Sequence, residues 1–329
     1  MGFYTGKNIL VTGGAGIIGH TAINRLLQEG AYIRTTEYTT RKIGITDKNL
    51  EIIKCDLHSY EQCLEVTSDM DVVINLAALT RGAKGQNSDP TALIRNNVNP
   101  TMNMIDAACK SGVEIFGFVG SSTAYPDVDY PAIESEGHTG EPHACYEGVG
   151  WMNRYCERVC MYFHNLTKTK FAMIRTSSVY GPHDTFDPER CHVIPHLILK
   201  AHYRQNPYYV WGDGNQIRDF VYVEDVVDGM LETIIKHPNA DPINIATGQP
   251  TTIRELACLI TEIFNHRPEF FFDTSKLTMI PVQLIDVSKS SSLLSWSSKT
   301  SLRDGLEKTI SWFEKNNKIL VGGEDGVSL

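Results

Sequence analysis

A doubly wound α/β fold built on a parallel sheet is what this sequence predicts, and two observations carry the expectation. Over the first 180 residues short apolar runs alternate with helical patterns, and parallel neighbours need such crossover connections. The opening strand then runs straight into Gly13-Gly14-Ala15-Gly16-Ile17-Ile18-Gly19, a glycine-rich turn set before a helix.

KNILVTG (7–13) reads as a buried strand because its apolar run is nearly continuous. Residues 16–29 follow as a helix, with Ile18, Ala22 and Leu26 on its path and Gly30 as a stop. AYIRTTE (31–37) and LEIIKCDL (50–57) are strands, and Ser59 opens the short helix SYEQCLEV. DVVINLAA (71–78) is a strand, and 91–110 a helix interrupted or entered near Pro100. EIFGFVGSS (114–122), a helix over 148–166 and the strand KFAMIRTSSVYG (170–181) complete the alternation, with right-handed crossovers expected. From Gly181 the rhythm changes. Pro182, Pro188, Pro195 and Pro207 punctuate it, and the strands shorten to YYVWG, RDFVYVED and DPINIAT. This predicts a dinucleotide-binding domain over 1–180 and a smaller C-terminal α/β substrate domain over 181–329. Residues 218–240 return to the first as a strand–helix pair. The tail VGGEDGVSL is expected to fray.

The chain has 329 residues, enough for two domains. At 42% hydrophobic and 21% charged it has a globular composition, which excludes disordered, collagen-like and coiled-coil classes. A net charge of −9 and a pI near 5.7 argue against a broad grip on nucleic acid or an anionic membrane. No apolar run reaches the length of a spanning helix, and MGFYTGKNILVTGG lacks a signal-peptide h-region, so a soluble protein is expected. The eight cysteines (55, 63, 109, 145, 156, 160, 191, 258) form no C-x-x-C and no zinc spacing. They read as reduced thiols of a cytoplasmic protein, with no metal site.

Gly13, Gly16 and Gly19 let the turn tighten and the backbone approach a pyrophosphate, while Ile17 and Ile18 open a helix whose N–H groups and dipole favour the anion. The fold is therefore expected to be Rossmann-like, with a bound dinucleotide. Glu37, 18 positions past Gly19, can accept bonds from an adenosine ribose, which favours NAD. Arg34, Arg41 and Lys42 stand nearby and could hold a 2′-phosphate, so NADP stays open. Asp56 and Leu57 can meet the adenine, and Ala77 and Ala78 let backbone lie close to the cofactor.

TGGAGIIG, CDL, NLAA, VGSSTAYP, SSVYGP, WGDGNQIRDFVYVEDV and NIATG occur in one order over residues 7 to about 260. In these motifs the chain resembles the extended short-chain dehydrogenase/reductases, the NAD-dependent epimerases and dehydratases of nucleotide sugars. YGPHDTFDPERCHVIPHLI and the Trp211…Arg218 stretch look most like the GDP-L-fucose synthase branch. The resemblance implies a nucleoside-diphosphate sugar between the domains and a nicotinamide exchanging hydride with a sugar carbon. Oxidising a sugar hydroxyl needs a base at the proton and an acceptor for the hydride. The family supplies a tyrosinate, assisted by a lysine four residues on and a Ser/Thr hydroxyl.

The resemblance gives Ser121 the hydroxyl role, and Tyr146 is the natural base. Yet Gly150 stands where the lysine belongs, and no Y-x-x-x-K occurs in the chain. A second register, set by Glu157, puts Val149 and Asn153 at the two places. Tyr146 could still serve if the helix starts late and Arg154 or the nicotinamide lowers its pKa. In the synthase branch a Cys and a His move protons; His192 falls on the His, while Thr123, too weak an acid, stands at the Cys. His192 is then expected to bind the sugar, Arg218 to fork onto its diphosphate, and Trp211 to offer a stacking face. Helices 91–110 and 148–166 carry apolar residues on more than one face, which by resemblance predicts a homodimer. The functions expected are an epimerase, dehydratase or 4-ketoreductase of a nucleotide sugar, possibly GDP-linked, or, because the dyad is broken, a catalytically impaired binding homologue serving as sensor or partner subunit.

Overall fold

The computed structural model describes residues 2–38, 41–80, 90–276 and 278–320; the tail 321–329 lies outside them. The chain runs β1 (Asn8–Val11), α1 (Ile17–Gln28), β2 (Tyr32–Glu37), β3 (Leu50–Lys54), α2 (Tyr60–Thr67), β4 (Val72–Asn75), α3 (Pro90–Lys110) and β5 (Ile115–Ser121). It continues through α4 (Glu147–Leu166), β6 (Lys170–Thr176), β7 (Ser178–Tyr180), α5 (Val193–His202), β8 (Tyr208–Trp211), β9 (Ile217–Arg218) and β10 (Phe220–Tyr222). The last elements are α6 (Val223–Lys236), β11 (Ile243–Ile245), β12 (Thr251–Thr252), α7 (Ile253–Ile263), β13 (Phe270–Asp273), β14 (Val282–Gln283), α8 (Ser288–Leu294) and α9 (Leu302–Leu320).

Seven parallel strands in the order β11-β6-β5-β4-β1-β2-β3 form the central sheet. Alternate side chains of β1 feed opposite faces. Ile9 and Val11 join α1 and α6 through Ile23, Leu26, Val227 and Ile234. Leu10 faces the other way, with Cys63, Met104, Ile105, Cys156 and Cys160 from α2, α3 and α4. The strand order reverses between β1 and β4, so a crevice opens at their carboxyl ends, the place where ligands bind in such sheets.

Two segments differ in detail from the sequence expectation. The helix over 90–110 runs through Pro100 without a break. The run 170–181 is two strands: β6 ends at Thr176 in the main sheet, and β7 pairs with β10. Buried Asp219 anchors that change of partner, accepting from Ser177 Oγ at 3.3 Å, Thr247 N at 3.0 Å and Gly248 N at 2.7 Å. Further on, α6 packs against α1 and β6, and β11 becomes the edge of the central sheet. A second core gathers α5, α7 and α9 around Leu197, Leu256, Leu306 and Phe313.

Candidate active site

The glycine turn is built by close approach. Gly13 has φ +68°, and a Cβ there would stand 2.6 Å from the Leu76 carbonyl oxygen and 2.8 Å from Ala77 N. A Cβ on Gly19 would collide with the Gly13 carbonyl, so α1 can lie this tightly on the turn only with glycine. Gly16, at the N-cap, donates to Gly13 O at 2.9 Å. No side chain caps α1 and its first turn carries no acid, so its N–H groups stay available to an anion. Thr12, which sequence reasoning passed over, fixes the crevice: its hydroxyl donates to Asn75 Oδ1 at 2.8 Å and accepts from Leu76 N and Ala77 N at 3.0 Å. A dinucleotide's phosphates fit this cradle.

Glu37 ends β2, its carboxylate bonded to Lys42 Nζ at 2.7 Å and Ile43 N at 3.2 Å, which hold its pKa below the usual range. The neighbouring cations are all engaged. Arg34 spans Glu51, Val66 O and Ser68 O, and Arg41 bonds the His183 carbonyl. The His183 ring stacks on His20 with centroids 3.4 Å apart. Burial first, and then the Arg41 charge, bring His20 down to about 4. Asp56 accepts from His58 N at 3.0 Å and closes its own turn, while Leu57 is buried. Ala77 is half-buried and Ala78 exposed.

At the end of β5, Ser121 Oγ accepts from Thr123 N at 3.2 Å and caps a short 3-10 turn. Thr123 Oγ1 accepts from Asn153 Nδ2 at 3.1 Å, and the same amide donates to Val149 O at 3.0 Å. Position 150 is closed by the same turn: a Cβ on Gly150 would stand 2.6 Å from the Thr123 carbonyl oxygen and 2.5 Å from Pro142 Cβ. Asn153 therefore occupies the position from which a side chain reaches Thr123, and no side chain fits at 150. Tyr146 is the N-cap of α4 and lines a cleft with Thr123, His143 and Ile280.

Burial raises the Tyr146 phenol above its ordinary value, with Arg218 pulling the other way. The helix starts at Glu147, directly after Tyr146, and Arg154 is not the cation beside the tyrosine. Its guanidinium donates to the carbonyls of Ala124, Gly140 and Thr139 at 2.6–2.9 Å. Arg218, 9% exposed, donates to Ile217 O at 2.8 Å. No carboxylate pairs with it among the described residues. His192 is exposed at the N-cap of α5, and Trp211 stands 6.0 Å from the His196 ring on that helix. Neither lines the cleft of Thr123 and Tyr146.

Beneath the site Arg175 forks onto Glu157, Nε to Oε1 at 2.8 Å and Nη2 to Oε2 at 2.7 Å, and donates to Tyr125 Oη and Glu134 O. Burial opposes the Glu157 charge, yet this fork and His138 hold its carboxyl below the usual range. An acid on the inner face of a predicted helix was the sequence signal for a buried cation here.

A glycine cradle at the reversal point of a parallel sheet, with hydroxyls at a neighbouring strand end, defines a dinucleotide-dependent enzyme. The chain belongs to the NAD-dependent epimerase/dehydratase family, whose model matches residues 9–246. It is 30% identical to GDP-L-fucose synthase 1 of Arabidopsis thaliana over 94% of this chain and 93% of that one. Against GDP-L-fucose synthase of Escherichia coli the identity is 28%, over 94% and 97%. Among solved structures, UDP-glucose 4-epimerase of Thermotoga maritima with UDP-glucose superposes with a TM-score of 0.84 at 26% identity, covering 94% of this chain and 99% of that one. MoeE5 in complex with UDP-glucose and NAD gives 0.81 at 26%, with the same coverage. The chain is accordingly an NAD-dependent enzyme of the nucleotide-sugar epimerase, dehydratase and reductase class, and the reading as a non-catalytic homologue is not favoured.

Proposed function

We propose that this enzyme oxidises or reduces a carbon of a nucleoside-diphosphate sugar, with the cofactor in the glycine cradle and the sugar in the cleft of Thr123 and Tyr146. The observation that carries the reading is the Gly13–Gly19 turn, where close packing leaves no room for a side chain at Gly13 or Gly19 and the α1 N–H groups are uncapped. Gly13, Gly16 and Gly19 shape the phosphate site, with Ile17 and Ile18 supplying N–H groups; Ala77 and Ala78 border it, and Asp56 and Leu57 flank the adenine. Glu37 receives the ribose hydroxyls, which favours NAD over NADP; Arg34 and Arg41 are bonded elsewhere, and Lys42 pairs with Glu37 itself. Bound there, the cofactor supplies the hydride acceptor or donor.

Ser121 and Thr123 hold the reacting hydroxyl, and Tyr146, kept protonated by burial, serves as proton donor. Arg218, buried without a carboxylate, grips the diphosphate, where a forked guanidinium suits phosphate oxygens. His192 and Trp211 border the outer sugar-nucleotide site. The fucose synthase relatives favour GDP as the nucleotide. Residues 1–180 with 218–240 hold the cofactor, and the rest of 181–329 holds the sugar. Exposed Ile94 on α3 and Trp151, Tyr155 and Tyr162 on α4 support a homodimer. Among the described residues no helix is long and apolar enough to cross a membrane, and the eight free thiols support a reducing, cytoplasmic location.

Calorimetry with NAD and NADP, followed by absorbance at 340 nm and product analysis with GDP-mannose and UDP-glucose, tests the reading. NAD should bind, and Tyr146→Phe should lower turnover at least a hundredfold while NAD affinity stays unchanged. A folded protein that binds neither coenzyme overturns it.

A further inference from the structure

One side chain of the cleft has no part in the reading above. His143 lines it beside Thr123 and Tyr146. Its Nδ1 accepts the Cys145 backbone N–H at 3.1 Å and lies 2.8 Å from Cys145 Sγ. Its Nε2 lies 3.7 Å from Asp127 Oδ2, with the imidazole 22% and the carboxylate 64% exposed. Because the Cys145 backbone N–H donates to it, Nδ1 is an acceptor and the ring's N–H is on Nε2. At 3.7 Å that N–H is outside hydrogen-bond range of Asp127, so it is free to meet a ligand in the cleft.

The thiol behind the ring has its own electrostatic setting. Burial, with Asp127 behind it, holds the thiol above its ordinary pKa, while backbone N–H groups of Ile280 and Cys145 and the Arg218 guanidinium pull the other way. Tyr146 is the remaining titratable group beside it. A sulfur within reach of an imidazole, a backbone N–H and an arginine can give up a proton and take it back.

We propose that Cys145 and His143 form a proton relay that serves this cleft, a thiol-backed imidazole in a chain that lacks a lysine-backed tyrosine. In the acid direction the Cys145 proton passes to His143 Nδ1 while the Nε2 proton passes to the ligand. This leaves a thiolate and a neutral imidazole protonated on Nδ1. In the base direction Nε2 takes a proton from a ligand hydroxyl, and the Nδ1 proton returns to the sulfur. No atom or electron is left over in either direction, and Arg218 balances the thiolate. Burial keeps the resting sulfur protonated. His143 is the group that touches the ligand, and Cys145 acts through it.

This inference rests on the cleft being the sugar site, so its test reads the pair separately from the cofactor. His143→Asn keeps an acceptor for the Cys145 N–H and so preserves the turn. Iodoacetamide labelling of the full chain at pH 8, with peptide mapping, should show Cys145 modified at least tenfold more slowly in His143→Asn. Cys145→Ala should lower turnover of UDP-glucose or GDP-mannose at least thirtyfold, with NAD affinity within twofold of the parent. Cys145→Ser, which keeps a hydroxyl, should recover part of that loss, and the alkaline limb of the pH–rate profile should move in both variants. Equal labelling rates in parent and His143→Asn, or an inert Cys145 in the parent, overturn the relay. So does turnover within threefold of the parent in both Cys145→Ala and His143→Asn. A parent protein that fails to bind NAD overturns the functional reading instead, and the labelling comparison still decides the relay.

Discussion

Gly150 gives the sharpest check on how this active site departs from a tyrosine–lysine pair. In a helix interior, alanine for glycine is worth about 1 kcal/mol of stability on propensity alone. Here the added methyl would stand 2.5 Å from Pro142 Cβ, 2.8 Å from Pro142 Cγ and 2.6 Å from the Thr123 carbonyl oxygen. These are ring and backbone atoms, so relief requires a segment to move, and overpacking of this kind costs about 1–3 kcal/mol. Three contacts under 3.0 Å put the clash in the upper half of that range, about 2–3 kcal/mol, so Gly150→Ala should be destabilised by about 1–2 kcal/mol once the propensity gain is subtracted. Gly148, two residues earlier in α4, is the control. Its methyl would meet only Ile94 Cδ1, at 3.3 Å, the end of an exposed side chain. Gly148→Ala should match the parent or gain up to about 1 kcal/mol. Urea unfolding followed by circular dichroism reads both. Because Thr123 must shift, Gly150→Ala should also lower turnover, and Gly150→Lys, which restores the Tyr-x-x-x-Lys spacing on paper, should not raise it. A Gly150→Ala protein as stable as its parent would refute the placement of α4 against the Thr123 turn.

Three further outcomes follow from the same geometry. Gly13→Ala puts a methyl 2.6 Å from the Leu76 carbonyl at φ +68°, so NAD affinity measured by calorimetry should fall at least tenfold. Glu157→Gln leaves the Arg175 charge buried without its partner, which should cost about 3–5 kcal/mol in denaturant unfolding, and Arg175→Met added to it should recover part of the loss. Lys200 is buried with its ammonium on Tyr209 O, and burial lowers its pKa to about 8. Between about pH 8 and the ordinary lysine value the unfolded chain binds the extra proton, so this group makes stability rise with pH there. Thermal melts at pH 7.5 and 9.5 should show that rise in the parent and its loss in Lys200→Met.

The central fold was legible because β1 and β4 are short, apolar and followed by helices, a pattern that leaves parallel pairing as the economical solution. The cofactor cradle was legible for the same local reason, since Gly13, Gly16 and Gly19 each answer a backbone demand within seven residues. What escaped the sequence is long-range. Nothing near Ser178 announces that β7 leaves the main sheet for β10, 40 residues on, because the Asp219 bonds that hold the switch come from distant turns. Thr12 was invisible because its three partners sit more than 60 residues away. Arg154 has the right charge near Tyr146 in sequence, but helical phase turns it onto three carbonyls of the preceding loop. Asn153 had to be weighed against position 150 without a view of the Thr123 turn; both positions pack against it, but only 153 has room for a side chain, and that decides between them.

That decision changes where the positive charge comes from. Asn153 has none to give, so the cation facing the Tyr146 phenol is Arg218, delivered from β9 of a different part of the chain. Arg218 is also a buried guanidinium that pairs with no carboxylate among the described residues and, unlike Arg154, faces Tyr146, which makes it a candidate for a substrate's diphosphate. On the proposed reading, one group then serves two anions in turn. Before substrate binds, Arg218 draws the Tyr146 and Cys145 protons toward release. When a diphosphate takes up its charge, that pull weakens, and both groups hold their protons more firmly. Occupancy of the nucleotide site thereby biases the cleft toward its acid form, the form required to protonate a sugar oxygen as hydride arrives. Replacing Arg218 with Gln should accordingly weaken nucleotide-sugar binding and, with saturating substrate, leave the pH dependence of turnover closer to that of the loaded parent than to that of the free one.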